Sequence, residues 1–152
     1  MSNKLTQRLK EPFPIDAHEF KPAAVAKGKS RALGLAYVDP RRYTMRLDEV
    51  GVDWTEDYEV TSTDDRIMVL CNLTIDGVTR ANGGECDLRD DNAFTSAQAQ
   101  AFKRACAKFG LGRYLYFMPK TWADYDKDSR SFSERGLRKL RHQLKTAIRD
   151  YQ

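Results

Sequence analysis

Histidine and cysteine are scarce in this 152-residue chain, and each scarcity removes a class of chemistry. Of the two histidines, His18 falls in an expected loop and His142 on a basic helix. Neither accompanies a plausible nucleophile, which argues against Ser-His or Cys-His catalysis. Cys71, Cys86 and Cys106 are odd in number and widely spaced, so they form neither a disulfide framework nor a zinc-site pattern, and a reducing compartment suits them. No run approaches the roughly 20 apolar residues of a membrane span, and the start Met1-Ser2-Asn3-Lys4-Leu5 lacks a signal-peptide core. A soluble, cytoplasmic protein is expected. No G-x-x-x-x-G-K-[ST] loop occurs, and Gly110-x-Gly112 follows a helix instead of opening one, so ATP hydrolysis is not expected. Asp124-x-Asp126-x-Asp128 starts like a calcium loop but continues with Ser129 and Arg135 where Gly and Glu are needed, so no metal site is expected there.

Charge, by contrast, is plentiful and segregated. The net charge is +4: residues 1–50 hold 10 Lys and Arg against 6 Asp and Glu, residues 51–100 hold 3 against 11, and residues 101–152 hold 13 against 5. Basic ends around an acidic middle suit an anionic polymer as ligand, or head-to-tail contacts between copies. A solvated helical surface would give the same counts. The length suits one ordinary domain.

Hydrophobic periodicity predicts an α+β chain. Residues 4–10 read as a short helix stopped by Glu11-Pro12-Phe13-Pro14, residues 21–29 as a loop, and residues 33–38 as a short strand. Asp39-Pro40 then opens a helix with a Tyr43, Leu47, Val50 stripe ending at Gly51. Trp54, Tyr58 and Val60 mark a strand and residues 67–75 a second; Asp76-Gly77 is a hairpin turn into a third, with a bulge expected at Asn82-Gly83-Gly84. Residues 95–109 predict a helix with a Thr95 to Gln98 capping box and an apolar face of Phe102, Ala105, Cys106 and Phe109. Residues 111–117 read as extended and 119–132 as polar connection. A final helix, capped by Ser131 with Glu134, carries Leu137, Leu140, Leu144, Ile148 and Tyr151 among basic residues and is weakened by Gly136.

Cations interleaved with aromatics are the pattern that carries chemistry. Tyr37, Arg41, Arg42 and Tyr43 surround one helix start; Lys103, Arg104 and Lys108 cover a helix face; Arg113, Tyr114, Tyr116 and Phe117 follow it. Basic groups that track phosphates, beside flat or apolar groups that meet bases, are what sequence-tolerant single-strand binding needs. Aromatics after a helix are nonetheless more often core. Asp53, Glu56, Asp57 and Glu59 form the one dense carboxylate set that a metal-dependent nuclease would require, on what is equally a solvated strand face.

The run Ala101-Phe102-Lys103-Arg104-Ala105-Cys106-Ala107-Lys108-Phe109-Gly110, with Tyr37-Val38-Asp39-Pro40-Arg41-Arg42 upstream and Trp54 between, resembles the annealing domain of the Rad fifty-two type single-strand annealing family. Gly110-Leu111-Gly112-Arg113-Tyr114-Leu115-Tyr116, Lys21-Pro22-Ala23-Ala24 and Arg46-Leu47-Asp48 look closer to its bacterial DNA damage response branch, DdrA. The likeness covers about residues 5–122. It implies a β-β-β-α core that assembles into rings and binds single-stranded DNA in a basic groove without ATP. By position it implies that Lys103 and Arg104 contact DNA, that Tyr37 lies in the same groove, that Leu35 and Leu115 contact bases, and that Lys21 adds a cation. Arg41, Arg42, Lys108 and Arg113 complete the expected site; a third basic position of the family's helix is Ala107 here.

The expected architecture is an antiparallel β-meander packed on a central helix, with a short N-terminal helix and a basic amphipathic C-terminal helix. Residues 1–122 would form the DNA-binding, annealing domain and 123–152 a linker and helix. The expected function is single-stranded DNA binding and ATP-independent annealing in repair and recombination, with protection of 3′ ends. No catalytic residue, cofactor, metal or membrane contact is expected. The partners would be single-stranded DNA, further copies in a ring and other recombination proteins, in a nucleoid-associated cytoplasmic setting. A small metal-dependent nuclease and a protein-interaction module are the alternatives.

Overall fold

A computed structural model describes residues 1–28 and 30–152; Lys29, the end of the loop expected at 21–29, lies outside them. Along the chain run α1 (Asn3–Lys10), β1 (His18–Val25), β2 (Arg31–Val38), α2 (Pro40–Glu49), β3 (Trp54–Ser62), β4 (Arg66–Ile75), β5 (Val78–Asp87), α3 (Ala93–Lys108), β6 (Thr121–Asp126), β7 (Ser131–Phe132) and α4 (Glu134–Tyr151). Short 3-10 turns lie at Ile15–Ala17 and Arg113–Phe117. The fold is α+β with antiparallel sheets throughout. It groups into two units that alternate along the sequence: residues 1–11 with 40–113, and residues 12–39 with 114–152.

The first unit is the expected meander on a helix. Its sheet has the order β3-β4-β5. Alternation in β4 buries Ile67, Val69, Cys71, Leu73 and Ile75 while Met68 and Leu70 stay exposed, as one covered face requires. Asp76 and Gly77 both take left-handed backbone, φ 50° and 76°, the geometry whose twist matches a two-residue hairpin. The bulge expected at Asn82-Gly83-Gly84 is absent: Cys71 to Asn82, Leu70 to Gly83 and Val69 to Gly84 pair without a register shift. Gly84 serves close packing instead. A Cβ there would run into the Ala97 carbonyl oxygen and lie 2.7 Å from Gln100 Cβ and 2.9 Å from Ala101 N, all on α3. Buried Ala93, Ala97, Ala101 and Ala105, one turn apart, form the matching small-residue stripe, beside the expected Phe102, Cys106 and Phe109. The expected Thr95 to Gln98 capping box does not form, because α3 starts at Ala93 after Asn92, which makes no side-chain cap bond, and so contains Thr95 and Gln98.

The second unit was mostly hidden in the sequence. Its sheet has the order β1-β2-β6-β7, and Ala32, Ala123, Tyr125, Phe132 and Leu140 of α4 form its core. Much of the loop expected at 21–29 is strand β1, with the register shift of this sheet falling between Pro22 and Ala24. Proline is tolerated there because β1 is an edge strand and the bulge removes the need for a ladder donor. The polar connection expected at 119–132 contains β6 and β7: Ala123 and Tyr125 point inward while Trp122, Asp124 and Asp126 point out. The extended segment expected at 111–117 contains the second 3-10 turn. The cap of α4 is Ser133, whose Oγ accepts the Gly136 N–H at 3.0 Å, instead of Ser131. Gly136 lets the helix approach the Asp124 carbonyl, which a Cβ would overlap.

Candidate nucleic-acid interface

The expected site residues fall on both units. On the first, α3 buries its alanine stripe and thereby turns Arg104 and Lys108, one turn apart, into solvent, with Lys103 half-buried beside them. Arg104 is not simply a solvated cation: its Nη1 donates to the Gly83 carbonyl at 3.0 Å, tying α3 to β5. It borders a cleft of about 510 Å³ that also holds Met68, Leu70, Glu59 and Glu85. Two carboxylates therefore compete there with any phosphate. Arg41 and Arg42 are exposed in the first turn of α2, and Arg41 shares a cleft with Glu56, Tyr58, Gln98 and Phe102.

At the C-terminal end of α3, one turn beyond Arg104, the surroundings are basic. Arg113 donates from Nε to the Ala107 carbonyl at 2.9 Å and from Nη2 to the Lys108 carbonyl at 3.0 Å. Arg80 of β5 donates from Nη1 to the same Lys108 carbonyl at 2.8 Å, its guanidinium 4.8 Å from the centre of the Phe109 ring. The Lys108 carbonyl is of the kind that a helix end leaves without an intrahelical partner, while that of Ala107 also accepts the Gly110 N–H at 3.0 Å. Arg80 was not among the expected site residues, and its one sequence signal is its place just after the Asp76-Gly77 turn.

On the second unit, strand register gathers the rest. Tyr37, Leu35 and Leu33 alternate with buried Ala36, Gly34 and Ala32 and so share one half-exposed face of β2. Lys21 pairs with Leu35 and Glu19 with Tyr37 across β1, and Trp122 pairs with Leu33 across β6. The Lys21 ammonium lies 5.3 Å from the centre of the Tyr37 ring. Partial burial first, then the Glu19 carboxylate, raise the Tyr37 phenol above its ordinary value. Trp122, 38% exposed, lies outside the expected site because its polar strand resembles a connection in sequence; the alternation of residues 121–126 is the available signal. Leu115 is half-buried, whereas Tyr116 and Phe117 are about two-thirds exposed, at 65% and 66%. Phe117 stacks on Tyr151 of α4 with ring centres 5.8 Å apart.

Tyr114 and His18 are core. His18 Nδ1 lies 3.0 Å from the Pro14 carbonyl oxygen and 3.1 Å from that of Ile15, so Nδ1 carries the proton. Nε2 then accepts from the Tyr114 hydroxyl at 2.6 Å, and that hydroxyl oxygen accepts the Phe13 N–H at 3.2 Å. Burial lowers the His18 pKa and favours this neutral form. Far from a loop residue, His18 opens β1 as a buried hub. The three cysteines are buried too; burial pushes the Cys71 thiol up to about 11 and the Cys106 thiol well above its ordinary value, so neither is a thiolate at neutral pH.

Among the described residues, no helix is long and apolar enough to cross a membrane. No family model matches the chain. No solved structure matches it either. Two curated proteins do. Over 121 residues the chain is 44% identical to single-stranded DNA-binding protein DdrA of Deinococcus radiodurans, a match taking in 79% of this chain and 58% of that protein. Over 125 residues it is 39% identical to single-stranded DNA-binding protein DdrA of Deinococcus deserti, taking in 82% of this chain and 62% of that protein. The chain thus spans about three fifths of the length of these relatives, and over most of its own length it is similar to two proteins named single-stranded DNA-binding protein DdrA.

Proposed function

We propose that this protein binds single-stranded DNA in DNA repair and recombination, holds it extended with its bases accessible, and so promotes ATP-independent annealing while shielding 3′ ends. The observation that carries the reading is that each unit, taken by itself, exposes groups suited to a nucleic-acid strand, in a chain 44% identical over 79% of its length to a protein named for binding single-stranded DNA. The first unit offers exposed cations on α3 and α2; the second offers Lys21 beside Tyr37, Leu35 and Trp122 on one sheet face. Cations release counterions from phosphates, and aromatic faces stack on bases irrespective of sequence. Such a site works by binding alone, with no covalent step and no cofactor.

Oligomerisation belongs to the same reading. A weak site repeated around a closed homo-oligomeric ring gives a long tract without a strong single contact. The acidic 51–100 segment of one copy and the basic 101–152 segment of the next supply complementary charge for a head-to-tail interface.

Titration of a fluorescent homopolymeric oligonucleotide at several salt concentrations, with a duplex of equal length in parallel, tests the proposal. Salt-sensitive binding that favours the single strand is the expected result. Affinity indifferent to salt, preference for duplex, or divalent-metal-dependent loss of the oligonucleotide overturns it. Sedimentation of the same protein at micromolar concentration should give one large species, and a monomer that binds tightly refutes the ring.

A further inference from the structure

We propose that the cleft at the C-terminal end of α3 bounded by Lys10, Arg80, Lys108 and Arg113 is a phosphate-binding site, with a volume of about 330 Å³. The idea deepens the single-strand reading and rests on it only for naming a DNA strand as the source of the phosphate. Lys10 and Arg80 carry no role in the cationic face described above.

The four cations come from α1, β5, the last turn of α3 and the start of the 3-10 turn that follows it. Lys10 closes α1 and lays its stem across Gly110, where an added Cβ would come within 2.7 Å of Lys10 Cγ. Arg80 arrives from β5 and is held over the Phe109 ring, and Arg113 folds back onto the last turn of α3. Capping alone explains why the two arginines are there, since both donate to α3 carbonyls. It does not explain the surplus. A helix C-terminus amounts to roughly half a negative charge, against two guanidiniums and two ammonium groups around this cleft.

The Lys10 and Lys108 ammonium groups have no hydrogen-bond or ion-pair partner among the described residues, and no carboxylate borders the cleft. The Arg104 cleft, with Glu59 and Glu85, is the contrasting case. Each guanidinium also keeps N–H donors beyond those spent on carbonyls, one used by Arg80 and two by Arg113. Like charges gathered without a counter-ion oppose the compact state. A phosphate supplies that counter-charge and accepts from both guanidinium forks. An internal phosphodiester and a strand-terminal phosphate share this chemistry.

The test uses the full chain and a Lys10→Gln/Lys108→Gln variant, which removes two charges while leaving both arginine caps in place. Melting temperature is measured at low salt, with sodium pyrophosphate and with sodium chloride of matched ionic strength. The wild type should melt higher with pyrophosphate; the variant should melt above the wild type without ligand and show no pyrophosphate rise. A rise absent from the wild type, or retained in the variant, overturns the site. Oligonucleotides with hydroxyl, 5′-phosphate or 3′-phosphate ends then separate the sources. An equal affinity loss on all three assigns an internal phosphodiester, and a loss confined to one phosphorylated end assigns that terminus. Pyrophosphate binding without oligonucleotide binding leaves the site standing and removes the single-strand reading.

Discussion

Replacing Lys103 and Arg104 together by alanine separates charge from structure on the α3 face of the proposed interface. Each single-strand phosphate contact contributes about 0.7 to the slope of log affinity against log salt, so losing two lowers it by about 1.4. Over an about fourfold rise in salt, the wild type should therefore lose about sevenfold more affinity than the double variant. Arg104 also donates to the Gly83 carbonyl, so its removal has a folding cost. One exposed hydrogen bond is worth about 1 kcal/mol, which a urea slope of about 2 kcal/mol per molar converts to a midpoint shift of about 0.5 M. The assays are fluorescence anisotropy across a salt series and urea unfolding of the same preparations. Arg104→Lys is the control, because it keeps the charge and loses the fork: it should retain the salt slope and show the smaller midpoint. An unchanged slope in the double variant refutes the phosphate role. Equal slopes for Arg104→Lys and Arg104→Ala, both below wild type, would make Arg104 a strut between α3 and β5.

Three further outcomes are expected. Gly84→Ala should destabilise by about 1–3 kcal/mol or more through overpacking against α3, whereas neighbouring Gly83→Ala, whose added Cβ meets only the Val69 carbonyl at 3.4 Å, should fall close to wild type in urea unfolding. Because the folded His18 pKa lies below its ordinary 6.5, the unfolded chain binds the extra proton first. The stabilisation is complete above pH 6.5, is lost as pH falls through that value to the folded pKa, and should be absent from a His18→Gln variant; unfolding midpoints from pH 8 to 4 check it. Trp122→Ala should weaken oligonucleotide binding by about 1–3 kcal/mol while leaving the salt slope intact, as stacking differs from charge neutralisation; a changed slope with unchanged affinity contradicts that role.

Local signals were legible and long-range pairing was not. The meander could be read because alternation in β4 and the Asp76-Gly77 turn are complete within a short window, and α3 because its apolar face repeats with the helical period. Asn82-Gly83-Gly84 suggests a bulge that does not form, since glycine gives one signal both for a backbone irregularity and for a helix packed against the strand. Strand β1 was obscured by Pro22 and two alanines, residues that suit an edge strand but not a strand signature. Strand β6 carries Asp124 and Asp126 on its exposed face, so only the Ala123, Tyr125 side betrays it. Of the site, the α3 cations were legible as the polar side of an amphipathic helix. Trp122 depended on knowing that β6 pairs with β2, which no local window contains.

That pairing sets the order in which the chain can finish its two sheets during synthesis. Strands β3, β4 and β5 are joined by short turns and followed directly by α3, so a nascent chain reaching Arg113 already holds every residue of the first unit. At the same moment the second unit owns only the β1–β2 pair, its β2 edge without the β6 backbone that will cover residues 31–34. Closing that gap joins segments separated by residues 40–113, a step slowed by loop-closure entropy. The edge left waiting is a short one and carries Gly34, which limits its use as a template for another chain in the interval.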